Sequence, residues 1–476
     1  MDDVSLNTLL QRQRAAFKAE ARSYERRMNA LAALRDALLA REGDLAAAIS
    51  DDFGGRPPSE TRLLELVLIV DLIRHARRAL RGWMKPRRAA TTWLLLPSRA
   101  FTMYQPLGVV GIMGAWNYPL MLTFGPLVDA IAAGNHTMLK LPEMTPRTSA
   151  TIAELVADTF RTEYITTVEG DASVSAAFAK LPFDHLLFTG STRVGSLVMR
   201  AASENLTPVT LELGGKSPAI IHESYSLEAA LRRIIIGKLY NAGQTCIAPD
   251  YVLVPKGSER DVERLARTIV AEFYPRLVDN GDYTRLIDRA HYSRLQTTVR
   301  DAQERGARVV VINPANEECS VENRVFPPTL IFDPTPDVAA MTDELFGPVL
   351  PIVPYDDLDA AIRFVNERPH PLALYYFDGD RRRIDQVIRE TTSGGVTIND
   401  VLVHIAQHSL PFGGVGASGM GQYHGFDGFE RFSKKKGVMV QARLRATAGF
   451  TPPFNERKRA LLARILALAK GIGPFK

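Results

Sequence analysis

Cysteine is scarce in this chain. Cys246 and Cys319 are the only two among 476 residues, and no CxxC pair occurs. That spacing excludes a disulfide framework and offers no zinc-binding pattern, so no metal site is expected. Long apolar runs are missing as well: no uninterrupted stretch approaches the roughly 20 residues that a bilayer-spanning helix requires. The opening Met1-Asp2-Asp3-Val4 is acidic and polar and does not read as a secretory signal, so a cytoplasmic protein is expected. The body lacks an excess of positive charge. Twelve Lys and Arg between Arg431 and Lys476 face one acid, Glu456, so the net charge of +5 belongs to the tail and the rest is net acidic. No nucleic-acid partner is expected of such a body. Internal repeats, heptad arrays and low-complexity segments are also absent.

What remains is ordinary globular material, 46% hydrophobic and 23% charged, long enough for two or three compact units. Helical spacing of Leu and Ala from Leu6 to Phe53 predicts two helices. Ser59 to Arg88 predicts a third, capped by Ser59 or Thr61. Thr91 to Tyr104 reads as extended. Short continuous apolar runs, the mark of strands buried on both faces, follow at Gly108 to Met113, Thr137 to Leu141, Ile165 to Val168, His185 to Phe188 and Val209 to Leu213. Helical segments from Pro119 to Ala133, Pro146 to Phe160 and Thr192 to Ser203 separate them. That alternation predicts an α/β fold with a Rossmann-like, doubly wound parallel sheet. It resumes at Tyr251 to Val254, Val309 to Ile312, Ala373 to Phe377 and Gly395 to Ile398, which predicts a second α/β domain.

Three segments carry reactive groups. Gly243-Gln244-Thr245-Cys246-Ile247-Ala248-Pro249 follows an apolar-periodic stretch from Leu227 to Asn241. Thr210-Leu211-Glu212-Leu213-Gly214-Gly215-Lys216-Ser217-Pro218 sets a carboxylate between leucines, where burial raises its pKa toward the range useful for proton transfer. Trp116-Asn117-Tyr118-Pro119 supplies a side-chain amide after a strand. A free cysteine is usually a small buried hydrophobe, a strand Glu often pairs with a lysine, and a buried Asn often satisfies local backbone. A thiol, a buried carboxylate and an amide donor are, together, the parts of a covalent acyl-transfer site. Further on, Gly190-Ser191-Thr192-Arg193-Val194-Gly195 opens a helix directly after a strand. Small residues at a helix N-terminus suit close approach to a pyrophosphate, although this is not GxGxxG and is weak alone.

With Phe188-Thr189 before that glycine and Glu344-Leu345-Phe346-Gly347-Pro348 near the second domain, the motifs resemble the aldehyde dehydrogenase superfamily from the first helix to about Lys436. Leu402-Val403-His404-Ile405 and His408-Ser409-Leu410-Pro411-Phe412-Gly413-Gly414-Val415-Gly416 resemble its class 3 branch, which includes fatty-aldehyde and bacterial coniferyl-aldehyde enzymes. The resemblance implies NAD(P)-dependent oxidation of an aldehyde to the acid through a thiohemiacetal and thioester on Cys246. Asn117 would be the oxyanion donor and Glu212 the base that activates the hydrolytic water. It implies Trp116, Lys140, Glu143, Gly190, Ser191, Thr192, Gly195, Gly214, Glu344 and Phe346 for the cofactor, with Lys140 and Glu143 on the adenosine ribose. A carboxylate there opposes a 2′-phosphate, which favours NAD, with NADP use left open. The implied units are 1–87 with 106–214 for NAD, 215–431 for catalysis, and 88–105 with 432–450 as a small β oligomerisation element of a homodimer.

A cysteine hydrolase would need a histidine beside Cys246, and none of the nine histidines has local motif support for that task. A CoA-acylating enzyme uses the same thiol; retention of Glu212 favours water. Tyr118, Met121, Leu239 and Tyr240 are candidates for an apolar substrate tunnel or for core packing. Aromatic, coniferyl-like aldehydes and medium or long aliphatic ones both fit. In the tail, residues 451–476, Leu461, Leu462, Ile465, Leu466 and Leu468 share one helical face opposite Arg457, Arg459, Arg464 and Lys470. Such a helix docks on its own enzyme or across a dimer, or lies peripherally on an anionic inner-membrane surface.

Overall fold

The structure, a computed structural model, describes residues 3–21, 23–443 and 450–471, with side chains described as far as residue 467. Its framework is three sheets. The first has six strands in the order Gly419–Met420, Val209–Glu212, His185–Thr189, Val109–Met113, His136–Lys140 and Ile165–Val168. All its pairings are parallel except that of Gly419–Met420, which runs antiparallel to Val209–Glu212. The chain winds outward from Val109–Met113, returns to its other side at His185–Thr189 and continues, so the sheet is doubly wound. Every residue of the strands Val109–Met113, His136–Lys140 and His185–Thr189 is buried, the polar His136, Lys140 and His185 included.

The second sheet has seven strands, parallel apart from Arg308–Val311 at one edge. Three of its strands, Pro218–Ile221, Thr329–Phe332 and Val349–Tyr355, escape the sequence reading. Prolines obscure them. Pro351 and Pro354 argue against an interior strand, yet Val349–Tyr355 lies between Thr329–Phe332 and Tyr251–Pro255. The third sheet joins Arg87–Ala89, Arg99–Pro106 and Ser433–Val440, all antiparallel. Here Thr91 to Tyr104 is only partly extended, since Trp93–Leu95 makes a short 3-10 turn.

Two helix expectations are corrected. Leu6 to Phe53 holds parts of three helices, Asp3–Ala19, Tyr24–Ala40 and Glu42–Phe53; Arg41 at φ −109° interrupts a spacing that otherwise looks continuous. The Ser59 to Arg88 segment starts at Pro58, whose fixed φ suits a first turn, and neither Ser59 nor Thr61 caps it. A π-helical turn at Arg62–Leu66 follows, then the helix Val67–Trp83. The wide turn carries Glu65 fully inside, where it pairs with Arg56 at 2.8 Å and accepts from the backbone N–H of Leu120 and Met121 at 2.8 and 3.0 Å. Glu65 thereby supports the start of the helix Met121–Ala133, directly after Asn117. Strand Gly419–Met420 belongs to the first sheet although the sequence reading places it in the second unit.

Candidate active site

Parallel strands end on one edge, and the polar residues singled out in the sequence follow those ends. Val109–Met113 leads to Trp116 and Asn117, His136–Lys140 to Glu143, His185–Thr189 to Gly190 and Ser191, and Val209–Glu212 to Gly214. The turning point of the winding lies between the first and third of these strands, where a crevice opens in a doubly wound sheet. Cys246 comes from the loop before Tyr251–Pro255 of the second sheet. One cavity of about 960 Å³ is lined by Asn117, Glu212 and Cys246 together with Lys140, Glu143 and Ser191.

The cysteine loop is built under strain. Helix Leu227–Leu239 stops two residues earlier than its apolar pattern predicts, because Asn241 and Ala242 take left-handed φ values of 52° and 50°. Gly243 continues at φ +76°, and a Cβ there would collide with the carbonyl of Gly347. Hydrogen bonds fix this turn to the first domain: Asn241 Nδ2 donates to Asn117 O at 2.9 Å and Asn117 Nδ2 to Gln244 O at 3.1 Å. Gln244 is held in turn by Ile287 N at 2.9 Å. One N–H of the Asn117 amide is thus spent on orientation and the other is left for a ligand.

Electrostatics in the cavity favour neutral groups. Glu212 is 3% exposed, neither of its carboxylate oxygens has a hydrogen-bond partner among the described residues, and burial pushes its pKa well above the usual 4.5. Burial, then the charges of Glu344 and Glu212, push the Cys246 thiol up as well. Glu344 is raised to about 8, by burial first and by Asp250 second. Its oxygen Oε1 is also unpartnered, and the space it fills exists because Gly214 has no Cβ.

A buried ion cluster carries the Glu344 segment. Asp250 accepts from Lys216 Nζ at 2.6 Å, Lys238 Nζ at 3.3 Å and Leu345 N at 3.2 Å. Beside it, His291 Nε2 bonds Phe346 O at 2.6 Å, and Phe346 meets Trp116 edge-on with ring centroids 5.5 Å apart. Across the crevice, Ser191 caps the helix Thr192–Ser203, accepting from Val194 N at 3.4 Å. Lys140 is buried, donates to Leu141 O at 2.6 Å and lies 3.5 Å from the half-exposed Glu143.

A profile of the aldehyde dehydrogenase family matches residues 2–438. The chain belongs to that family. Its 461-residue alignment with a probable coniferyl aldehyde dehydrogenase of Pseudomonas aeruginosa is 46% identical and covers 97% of this chain and 96% of the relative. The substrate-bound structure of Staphylococcus aureus AldH superposes with a TM-score of 0.90 at 37% identity, covering 98% of this chain and all of that one (100%). An aldehyde dehydrogenase of Mycobacterium tuberculosis complexed with NAD+ superposes at 0.82 with 26% identity, covering 92% and 90% of the two chains.

The crevice of this aldehyde dehydrogenase fits a nicotinamide dinucleotide on its own geometry. A capped helix N-terminus opens into it after a glycine, an unpartnered carboxyl oxygen of Glu344 faces a cradle that a Cβ at Gly214 would fill, and the cavity is at the upper end of ligand-sized volumes. Of the residues expected around a cofactor, Trp116, Lys140, Glu143, Gly190, Ser191, Gly214, Glu344 and Phe346 line the cavity. Thr192 and Gly195 do not. Thr192 donates to Ala417 O at 3.1 Å, and Gly195 lets its helix pack on Leu213, whose Cδ2 is 2.6 Å from where a Cβ would sit.

The tunnel expectation is corrected. Tyr118, Met121, Leu239 and Tyr240 are outside the lining of this cavity; Met121 and Leu239 belong to the core, and Tyr118 bonds Thr245 Oγ1 at 2.7 Å with Arg56 over its ring. Residues not singled out from the sequence are His291, Asp250, Lys238 and the Arg56–Glu65 pair; no motif marks them, and His291 and Asp250 reach partners in the Glu344 segment 55 and 95 positions away. Phe412 and Tyr423 also line the cavity. Phe412 stands in a motif quoted above, but nothing local marks Tyr423.

Proposed function

We propose that this enzyme oxidises an aromatic, coniferyl-like aldehyde to its carboxylic acid, with Cys246 as nucleophile, Asn117 as oxyanion donor and Glu212 as hydrolytic base. The observation that carries the reading is the convergence of these three side chains on one cavity wall, with a dinucleotide-sized space beside them. The substrate class is supported by the similarity to a probable coniferyl aldehyde dehydrogenase. Medium and long aliphatic aldehydes are the second class to test.

Cys246, its proton lost to solvent, attacks the aldehyde carbon as the thiolate while the free N–H of Asn117 and the Cys246 backbone N–H receive the developing oxyanion. One such donor contributes about 3–4 kcal/mol in comparable sites. The nicotinamide, when bound, supplies the hydride acceptor that converts the thiohemiacetal to a thioester. Glu212 then takes a proton from water as the water attacks the thioester carbon, and Cys246 leaves as thiolate. Glu344, its pKa raised to about 8 by burial and Asp250, would hold a ribose diol, as a carboxyl group that can both donate and accept. Mixing enzyme, coniferyl aldehyde and NAD, with and without CoA, tests the reading. NADH and free acid formed without CoA support it; dependence on CoA would replace water by a thiol acceptor.

The pH dependence has a definite sign. Glu212 acts only when ionised, and its pKa is raised by burial, so activity is lost as pH falls through a value well above 4.5. The elevated Cys246 thiol pushes in the same direction. Steady-state kcat therefore rises with pH above the ordinary carboxylate range. A profile already flat in the ordinary carboxylate range contradicts an essential buried Glu212.

Glu143 sets cofactor preference in this reading. Its carboxylate accepts from ribose hydroxyls and repels a 2′-phosphate, while Lys140 partly offsets that repulsion. Glu143→Gln is expected to raise kcat/KM with NADP relative to NAD by about fivefold, the scale of a charge contact of about 1 kcal/mol at a solvated site. An unchanged ratio places the ribose elsewhere.

The three-stranded sheet is the proposed oligomerisation element of a homodimer, which sedimentation would show as a species of twice the chain mass. Residues 444–449 of that stretch lie outside the described residues. The tail helix Glu456–Gly471 leaves Leu461 and Leu466 exposed, 45% and 62%, beside Arg457, Arg459 and Arg464. No helix among the described residues is long and apolar enough to cross a membrane. The side chains of Leu468 and Lys470 lie outside those described. This helix is proposed either to dock on its own enzyme or across a dimer, or to lie peripherally on an anionic inner-membrane surface; failure of the intact enzyme to bind anionic vesicles even at low salt would exclude the second.

A further inference from the structure

A buried hydroxyl in the cavity wall is left over after the roles above are assigned. Tyr423 is completely buried, yet its hydroxyl has no hydrogen-bond partner among the described residues. A hydroxyl taken out of water without a partner costs about 1–3 kcal/mol. The ring is not free to turn away from that position. It packs edge-on against His424 at 4.5 Å and Phe412 at 5.9 Å, and its backbone exchanges two hydrogen bonds with Phe412, at 2.8 and 3.0 Å. His424 in turn stacks on Phe412 at 5.2 Å with planes 17° apart. The residue is thus clamped, and it lines the same cavity as Glu212 and Cys246.

Glu212 presents the matching deficit. Among the described residues neither of its oxygens has a protein partner, and burial is what raises its pKa. The phenol of Tyr423 lies within electrostatic reach of both Glu212 and Cys246, and burial keeps it un-ionised at any working pH. Two unpaired polar groups, one a neutral O–H donor and one an acceptor, therefore line the cavity that holds the sulfur that carries the acyl group. They do not bond each other, and one small molecule between them would satisfy both.

We propose that Tyr423 is a positioning residue for thioester hydrolysis, its hydroxyl donating to the water whose proton Glu212 removes. The inference rests on the hydrolytic role given to Glu212 above. Held by Tyr423 on one side and donating to Glu212 on the other, the water keeps a lone pair directed at the thioester carbon. As the C–O bond forms, its proton passes to Glu212. The C–S bond then breaks and its electron pair returns to Cys246 sulfur, releasing the carboxylic acid. No oxidant enters this step, and the aldehyde oxidation that precedes it makes no use of Tyr423.

Tyr423→Phe tests this by splitting the two half-reactions. The variant keeps the ring and its packing, so its melting temperature and NAD binding are expected to match those of the parent. The first equivalent of NADH is expected at an unchanged rate, while steady-state turnover falls about tenfold to a hundredfold, the scale of losing a reactant's orientation. Hydroxylamine, which attacks a thioester without base assistance, is expected to restore turnover to the parent level. In a Glu212→Gln background the Tyr423→Phe change is expected to add little, because both act on one water. Unchanged steady-state turnover overturns the proposal, and so does parallel slowing of the first turnover, which would place Tyr423 in acylation or packing. Failure of hydroxylamine to restore turnover overturns it as well. If Glu212→Gln alone shows no burst, the hydrolytic role of Glu212 fails, whatever Tyr423→Phe does.

Discussion

Glu212→Gln is expected to release about one equivalent of NADH per active site and then nearly stop. Acylation needs the thiol and the oxyanion donors; only hydrolysis needs a base, and a positioned base contributes about 10²–10⁴ in rate. Steady-state kcat should accordingly fall by about a thousandfold while the first turnover stays close to that of the parent. The substitution is nearly isosteric in a fully buried site. It also replaces a carboxyl group that burial already holds toward its neutral form, so folding should not suffer. Rapid-mixing kinetics under saturating aldehyde read both phases. An enzyme lacking the burst would move Glu212 to activation of the thiol, and one with full turnover would remove it from the mechanism.

Cys246→Ser is expected to abolish oxidation altogether, by at least about 10⁴-fold, the loss seen when a covalent nucleophile is removed. A serine hydroxyl is far less acidic than a thiol and requires an adjacent base to attack. In this mechanism Glu212 serves water rather than the nucleophile, and no histidine among the described residues is placed for the serine hydroxyl. His291, the histidine that lines the cavity, is committed through Nε2 to the carbonyl of Phe346, and burial lowers its pKa to about 4. The same observation disfavours a cysteine hydrolase, whose histidine would have to reach the sulfur. Measurable first-turnover NADH from Cys246→Ser would overturn the covalent route.

The sequence was readable where a residue's task depends on its immediate neighbours. The central strands of the first sheet are short, mainly apolar runs because they are buried on both faces, and strand limits agree with the structure within a residue or so at Ile165–Val168 and His185–Thr189. Cys246, Glu212 and Asn117 stand in short motifs at strand and helix ends, and the doubly wound topology brings such ends to one edge. What escaped depends on distant partners. Lys238 reads as a helix charge, yet it is buried against Asp250 and so supports Glu344. The π turn that brings Glu65 to the start of the helix after Asn117 has no signature in Arg62–Leu66. Thr192 and Gly195, suggested for the cofactor by their motif, have structural tasks as well, in helix anchoring and helix–strand packing. Tyr118 and Met121 were drawn toward the substrate by sequence proximity alone, and their burial assigns them to the framework.

Mass spectrometry of the Glu212→Gln enzyme, quenched after exposure to aldehyde and NAD, tests the covalent mechanism at its intermediate. The peptide containing Cys246 should gain the mass of the aldehyde less two hydrogens, the signature of an oxidised thioester, and the peptide containing Cys319 should gain nothing. An unmodified Cys246 peptide, an adduct on Cys319, or a gain of the whole aldehyde mass with NADH already released would contradict it.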